Sequence, residues 1–202
     1  ADGALCMLMI DLEIINFSDG KYSLSTVMND LYINYALKNK GYSEEDFIEL
    51  CEKYGGSFIK HIFNNHVYGT LDYIPSLNKT LEHVGLKLIK KDNENLGAHF
   101  FGFLGLIDNN KFIIKKVEPN SEADINGIAP EDEIIKINGQ KIDKSINQIL
   151  ENCGKEVNIT LKKKFFEKEI KLNVGNYFTL YEIGEVDKKE NKQVTNFNIW
   201  TK

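Results

Sequence analysis

The chain has 202 residues, 42% of them hydrophobic and 27% charged, which supplies apolar material for one or two cores and excludes a disordered chain. Its formal charge is -5 and all 25 basic side chains are lysine, so the basic face and bidentate arginine contacts that mark nucleic-acid binding are missing. Cys6, Cys51 and Cys153 are odd in number and far apart, which argues against a disulfide framework and for a reducing, cytoplasmic compartment.

The first apolar run, Ala4 to Ile10, lacks a basic leader and is followed at once by Asp11 and Glu13. It is far shorter than the ~20 apolar residues that span a bilayer, so no membrane partner is expected. It reads as a buried helix that began before residue 1, which makes the chain a fragment. Leu5, Leu8, Met9, Leu12 and Ile15 recur at helical spacing, as do Val27, Leu31 and Tyr35 in a second helix. Asp19-Gly20 turns between the two, Ser23 or Ser25 caps the second, and Gly41 ends it. Ser43 and the acidic residues Glu44, Glu45 and Asp46 start a third helix, where negative charge suits the positive end of the helix dipole. Gly55-Gly56 breaks it. Ser57 to Val67 then predicts a fourth helix with Phe58, Ile59, Ile62 and Phe63 inward, and Pro75 starts a fifth that runs to His83 and closes at Gly85.

From residue 86 the period changes. Phe112 to Ile114 and Ile134 to Ile137 are rich in β-branched residues, and Val157 to Leu161 alternates as a half-buried strand does. Asp108-Asn109-Asn110, Asn138-Gly139 and Gly154 mark turns, and Lys162-Lys163-Lys164 reads as a solvated hairpin. One helix is expected among these strands, Ser145 to Asn152, with Ile146, Ile149, Leu150 and Cys153 at core spacing. The stretch from Gly184 to Gln193 reads as a mobile polar tail, before Phe197 and Trp200 offer a docking point. The expected fold is therefore α+β: an all-helical segment over 1–85, a β-rich domain over 86–181 and a tail over 182–202.

Within 86–181 the motifs combine into a resemblance to a PDZ domain of the bacterial type. Phe100-Phe101-Gly102-Phe103 stands where that family has its glycine-containing loop, with Phe100 in place of the first glycine. Ser121 to Ile128 is similar to its S-P-A-x-x-A-G stretch, and Pro130 to Gly139 to its P-G-D-x-I…N-G stretch. The resemblance implies a β-sandwich or partly open barrel capped by two helices. It also implies a peptide or protein carboxyl terminus as partner, because amides around a glycine can converge on a carboxylate. Phe101, Gly102 and Phe103 would donate those amides. The strand through Leu104 and Leu106 would offer an edge, and Ile146, Ile149 and Leu150 the opposite wall. Gly105 in that strand predicts a bulge or a close backbone approach. The domain reads either as such a groove or as a structural or self-occupied unit.

The first 85 residues extend the resemblance to the glycyl aminopeptidase family, zinc metallopeptidases with a carboxyl-terminal PDZ domain. Gly3-Ala4-Leu5, Leu8 to Ile14, Gly20-Lys21, Gly41 to Phe47, Tyr68-Gly69-Thr70 and Tyr73-Ile74-Pro75 carry it, with Gln193 and Trp200 at the end. It implies a parent enzyme that acts on peptides with small amino-terminal residues, a zinc cofactor in that parent, and a missing amino-terminal catalytic part as partner. The H-E-x-x-H zinc helix that the family uses has no counterpart here, and the family's catalytic tyrosine would precede residue 1. His61 and His66 are five apart, off a common helix face, and His83 and His99 stand alone, so all four read as structural. No catalytic residue and no metal ligand is assigned to this chain. A stand-alone adaptor and a purely bracing PDZ domain stay open beside the fragment, and so does a homo-oligomer.

Overall fold

The computed structural model describes residues 2–142 and 146–202, which form two compact units: the residues up to Ile89 together with Glu182–Lys202, and Lys90–Tyr181.

The first unit is built around α1 (Asp2–Phe17). Met9, Ile10, Leu12 and Ile14 are fully buried, and a helix that is apolar on every side belongs at the centre of its domain. Around it lie α2 (Leu24–Asn34), α3 (Glu44–Gly55), α4 (Phe58–Ile62) and α5 (Tyr73–Glu82). Asp11 and Glu13 interrupt the apolar surface of α1: Asp11 Oδ1 accepts the Leu24 N–H at 2.8 Å, satisfying a free donor of the first turn of α2 from a neighbouring helix. Burial pushes the Asp11 carboxyl above the usual range, and the Leu24 N–H opposes that shift. Ser23 holds the N-cap position, but its N–H is met by Thr26 Oγ1 at 3.3 Å.

α2 ends at Asn34 rather than Gly41. A 3-10 turn, Ala36–Lys38, follows it, and Asn39 at φ 52° takes the left-handed conformation expected of a glycine. α3 starts as expected, with Ser43 Oγ accepting from Asp46 N–H at 3.2 Å and Asp46 Oδ2 from Ser43 N–H at 2.8 Å. The single helix expected over 57–67 is instead α4 followed by a π-helical turn, Phe63–Val67, in which Tyr68 N–H reaches Phe63 O at 2.9 Å. α5 begins two residues before Pro75, capped by Asp72, so the proline falls in the first turn where no N–H partner is needed.

The polar tail is ordered into β8 (Leu180–Glu185), which pairs with β1 (Leu86–Lys91), and α9 (Asn191–Trp200). Side chains of α9 meet the end of α5: Gln193 Nε2 donates to Glu82 O at 2.7 Å, and buried Asn196 donates to His83 O at 3.0 Å. Phe197 and Trp200 pack on the helical core.

The second unit is an open antiparallel sheet in the order β2 (Phe103–Asp108), β3 (Lys111–Val117), β4 (Glu133–Ile137), β6 (Glu156–Lys162), β7 (Glu167–Asn173), with β5 (Gln140–Lys141) added to β4. It does not close into a barrel, so β2 and β7 are its edges. Among the described residues three short helices accompany it, α6 (Leu96–Phe101), α7 (Glu122–Ile125) and α8 (Ile146–Leu150), where two were expected. α8 stops short of Asn152, and Ser145 lies outside the described residues. The core joins Phe101, Phe103, Phe112, Ile114, Ile134, Leu150, Val157 and Leu172.

Candidate functional site

The site is built on β2 and the turns at its ends. Asn109 and Asn110, at φ 49° and 61°, form a two-residue turn whose twist suits a hairpin, and it closes on the pair Asp108–Lys111. At the other end Glu118 N–H donates to Gly102 O at 2.8 Å while Phe103 stands opposite Val117. In an antiparallel ladder that arrangement makes Phe103–Val117 a wide pair, so the N–H and C=O of Phe103 turn away from β3. Alternation sends the backbone groups of Gly105 and Ile107 the same way and those of Leu104 and Leu106 into the ladder. Because the described sheet ends at β2, the groups of Phe103, Gly105 and Ile107 line a rim with no strand partner among the described residues.

Gly105 shows both features anticipated for it. The register shifts between Leu104 and Gly105, and a Cβ on residue 105 would stand 2.4 Å from Cε1 of Phe112 and 2.8 Å from Ile113 O. Among the residues expected at the groove, the side chains of the amide donors Phe101 and Phe103 and of the wall residues Ile146 and Leu150 are buried together in the core. Leu104 and Ile149 are half-buried, and Leu106 is 48% exposed beside Ile107 at 45%. Asn147 fixes α8 onto the start of α6: its Oδ1 accepts from Leu96 N–H at 3.0 Å and its Nδ2 donates to Glu94 O at 2.8 Å.

The glycine loop lies at the end of a helix. Phe100 and Phe101 belong to the last turn of α6, and Gly102 is its left-handed C-cap at φ 80°, its N–H donating to Ala98 O at 3.0 Å. The carbonyls of Phe100 and His99 accept from Gly175 and Tyr177 N–H, both at 2.8 Å. Side-chain bonds hold the motifs that follow. Buried Ser121 accepts from Asp124 N–H at 3.3 Å, and Asp124 accepts from Asn120 N–H at 2.8 Å. Asp132 accepts from Ala129 N–H at 2.9 Å and from Lys163 Nζ at 2.6 Å, and Lys163 also reaches Gly127 O at 2.9 Å. Lys163 is thus a structural cation and not part of a solvated run.

The histidines face other duties. His66, buried beside a cleft of about 600 Å³ that Cys6, Asp72 and Tyr73 help to line, has Nε2 2.8 Å from Ser76 Oγ and Nδ1 3.2 Å from Leu71 O. His83 Nε2 lies 2.9 Å from Glu13 Oε2, and His61 stacks on Phe58. His99 Nδ1 is buried and has no hydrogen-bond partner among the described residues. No group of three or more His, Cys, Asp or Glu side chains among the described residues could hold a metal ion, so these residues do not fit a zinc centre. No helix among them is long and apolar enough to cross a membrane.

An open antiparallel sheet with a free rim along β2, a glycine-capped turn at the head of that strand and a short helix packed into the same core is the architecture of a PDZ domain. Residues 76–162 match the PDZ domain family, and the chain carries such a domain. Among known proteins, the InaD-like protein of Canis lupus familiaris is 33% identical over 99 residues, 45% of this chain and 5% of that protein. Among solved structures, an aminopeptidase N family protein from Idiomarina loihiensis matches with a TM-score of 0.81 at 20% identity, over 97% of this chain and 35% of that one. A PDZ domain protein from Parabacteroides distasonis matches with a TM-score of 0.33 at 23% identity, over 49% of this chain and 21% of that one. The chain therefore shares the fold of the part of that structure it covers, and it spans about a third of the length of the aminopeptidase N family structure.

Proposed function

We propose that the PDZ unit binds an extended peptide, which adds to the sheet as a further strand along the rim of β2. The observation that carries this reading is the outward alternation of N–H and C=O groups at Phe103, Gly105 and Ile107, which offers a peptide a ready ladder. Leu104, Leu106 and Ile149 would meet its side chains. Replacing Ile107 by proline removes one outward donor and no β3 bond, and edge strands tolerate proline. The variant is expected to keep the native circular dichroism spectrum and lose peptide binding about tenfold, the scale of one lost ladder bond. Unchanged affinity in a folded variant would count against strand addition. It would favour an adaptor that binds elsewhere or a domain that only braces.

A second reading concerns the parent. We propose that the helical unit walls the active site of a zinc aminopeptidase for peptides with small amino-terminal residues, in the reducing cytoplasm that three free thiols suit. The fold likeness to an aminopeptidase N family protein over 97% of the chain supports this. Because the described residues do not fit a zinc centre, no catalytic step is assigned to them. The purified chain is expected to bind no stoichiometric zinc and to leave glycyl and alanyl anilides intact. Equimolar zinc or turnover would contradict that division of labour.

A further inference from the structure

We infer that the β2 groove reads a segment inside a polypeptide chain and does not require a free carboxyl terminus. The inference rests on strand addition and concerns only which kind of peptide enters. Capturing a terminal carboxylate takes several N–H groups aimed at one point, or a cation beside it. At the head of β2 two of the three amides at the loop are spent, and the Phe103 N–H alone faces the rim. Gly102 N–H donates to Ala98 O at 3.0 Å, and the Phe101 amide lies within the last turn of α6.

What the loop offers instead is the carbonyl end of a helix, which disfavours an anion. The turn is also held from outside, through the Gly175 and Tyr177 N–H groups on the Phe100 and His99 carbonyls. Gly102 has little room to swing its amide outward, since a Cβ there would meet Ser121 Cβ at 2.2 Å and the Tyr177 ring at 3.3 Å. Nearby, Glu118 directs its carboxylate to Phe178 N–H, and Lys116 Nζ sits 5.3 Å from the Phe178 ring centre. A second carboxylate would meet a like charge. The rim from Phe103 to Ile107 carries no such restriction, because alternating donors and acceptors suit a strand from any part of a chain. A segment that runs on past the loop has no charge to satisfy there.

The test uses arrays of randomised nonapeptides made in two orientations, one with the carboxyl end anchored and one with it free, probed with the whole 202-residue chain. Binders are remade as acids and as carboxamides and titrated while the amide resonances of Phe103, Gly105 and Ile107 are followed. The expected result is binders in both orientations, with acid and carboxamide affinities within about threefold, under 1 kcal/mol. A loss of about tenfold or more on amidation overturns this inference and leaves strand addition standing. If no peptide in either orientation moves those amides, strand addition falls and the inference with it.

Discussion

The backbone of Gly105 lies against the ring of Phe112, so close that a Cβ would stand 2.4 Å from Cε1. A one-residue register shift at this point brings the two together. Gly105→Ala is expected to overpack the core and cost about 1–3 kcal/mol in urea denaturation. Because the ring is the nearest obstacle, with Ile113 O behind it, and the glycine's backbone angle is not one, adding Phe112→Leu should recover part of that loss. A double variant whose loss equals the sum of the single losses would contradict the close approach.

Lys163 ties Asp132 to Gly127 O across the turn that leads into β4, with side chains only 22% and 11% exposed. Lys163→Met leaves a largely buried carboxylate without its cation, and a loss of roughly 2 kcal/mol is expected in thermal unfolding, below the full cost of a buried pair because some solvent reaches it. Lys164→Met, one residue along the same run, is the control and should change little. Equal losses for both would return the run to a solvated role.

Burial holds the Asp11 carboxyl above its usual range, with the Leu24 N–H opposing. A raised folded-state value means that the folded protein binds this proton more tightly than the unfolded chain. The resulting penalty is full above the folded-state value and fades as pH falls to the ordinary carboxylate range. Asp11→Asn, which keeps an oxygen for Leu24, is therefore expected to be more stable than the parent chain at neutral pH. Its advantage should shrink as pH falls, read as denaturation midpoints over that window. An advantage that grows on acidification would contradict the sign.

Burial pushes the Cys51 thiol up to about 12, so its thiolate is scarce at mildly alkaline pH. Cys51 should resist a thiol reagent in the native protein and react on unfolding, while half-buried Cys153 reacts first. Rapid native labelling of Cys51, located by peptide mass mapping, would mean that α3 opens locally.

Much of the fold was legible because strong local signals agreed with it. The apolar girdle of α1, the capping box of Ser43 and Asp46, and the β-branched runs of β3, β4 and β6 each dictate one conformation. The misses have non-local causes. α6 is short, with Gly97 and Gly102 diluting any helical period, and its end is fixed by Gly175 and Tyr177, far along the chain. α9 is polar in sequence because Gln193 and Asn196 spend their amides on the carbonyls that end α5. Asp11 caps α2 through a contact that no spacing rule reaches. At the site, the strand bearing Phe103 to Ile107 could be read from the sequence, but the engagement of the Gly102 amide could not. A glycine that ends a helix and one that opens an anion pocket look alike in sequence.

The most direct measurement is amide hydrogen exchange along β2 with and without a bound peptide. Protection should rise at Phe103, Gly105 and Ile107, whose N–H groups line the rim, and hardly change at Leu104 and Leu106, which already bond to β3. Saturating peptide that leaves all five amides exchanging as before, or protects consecutive residues without alternation, would contradict strand addition at this rim.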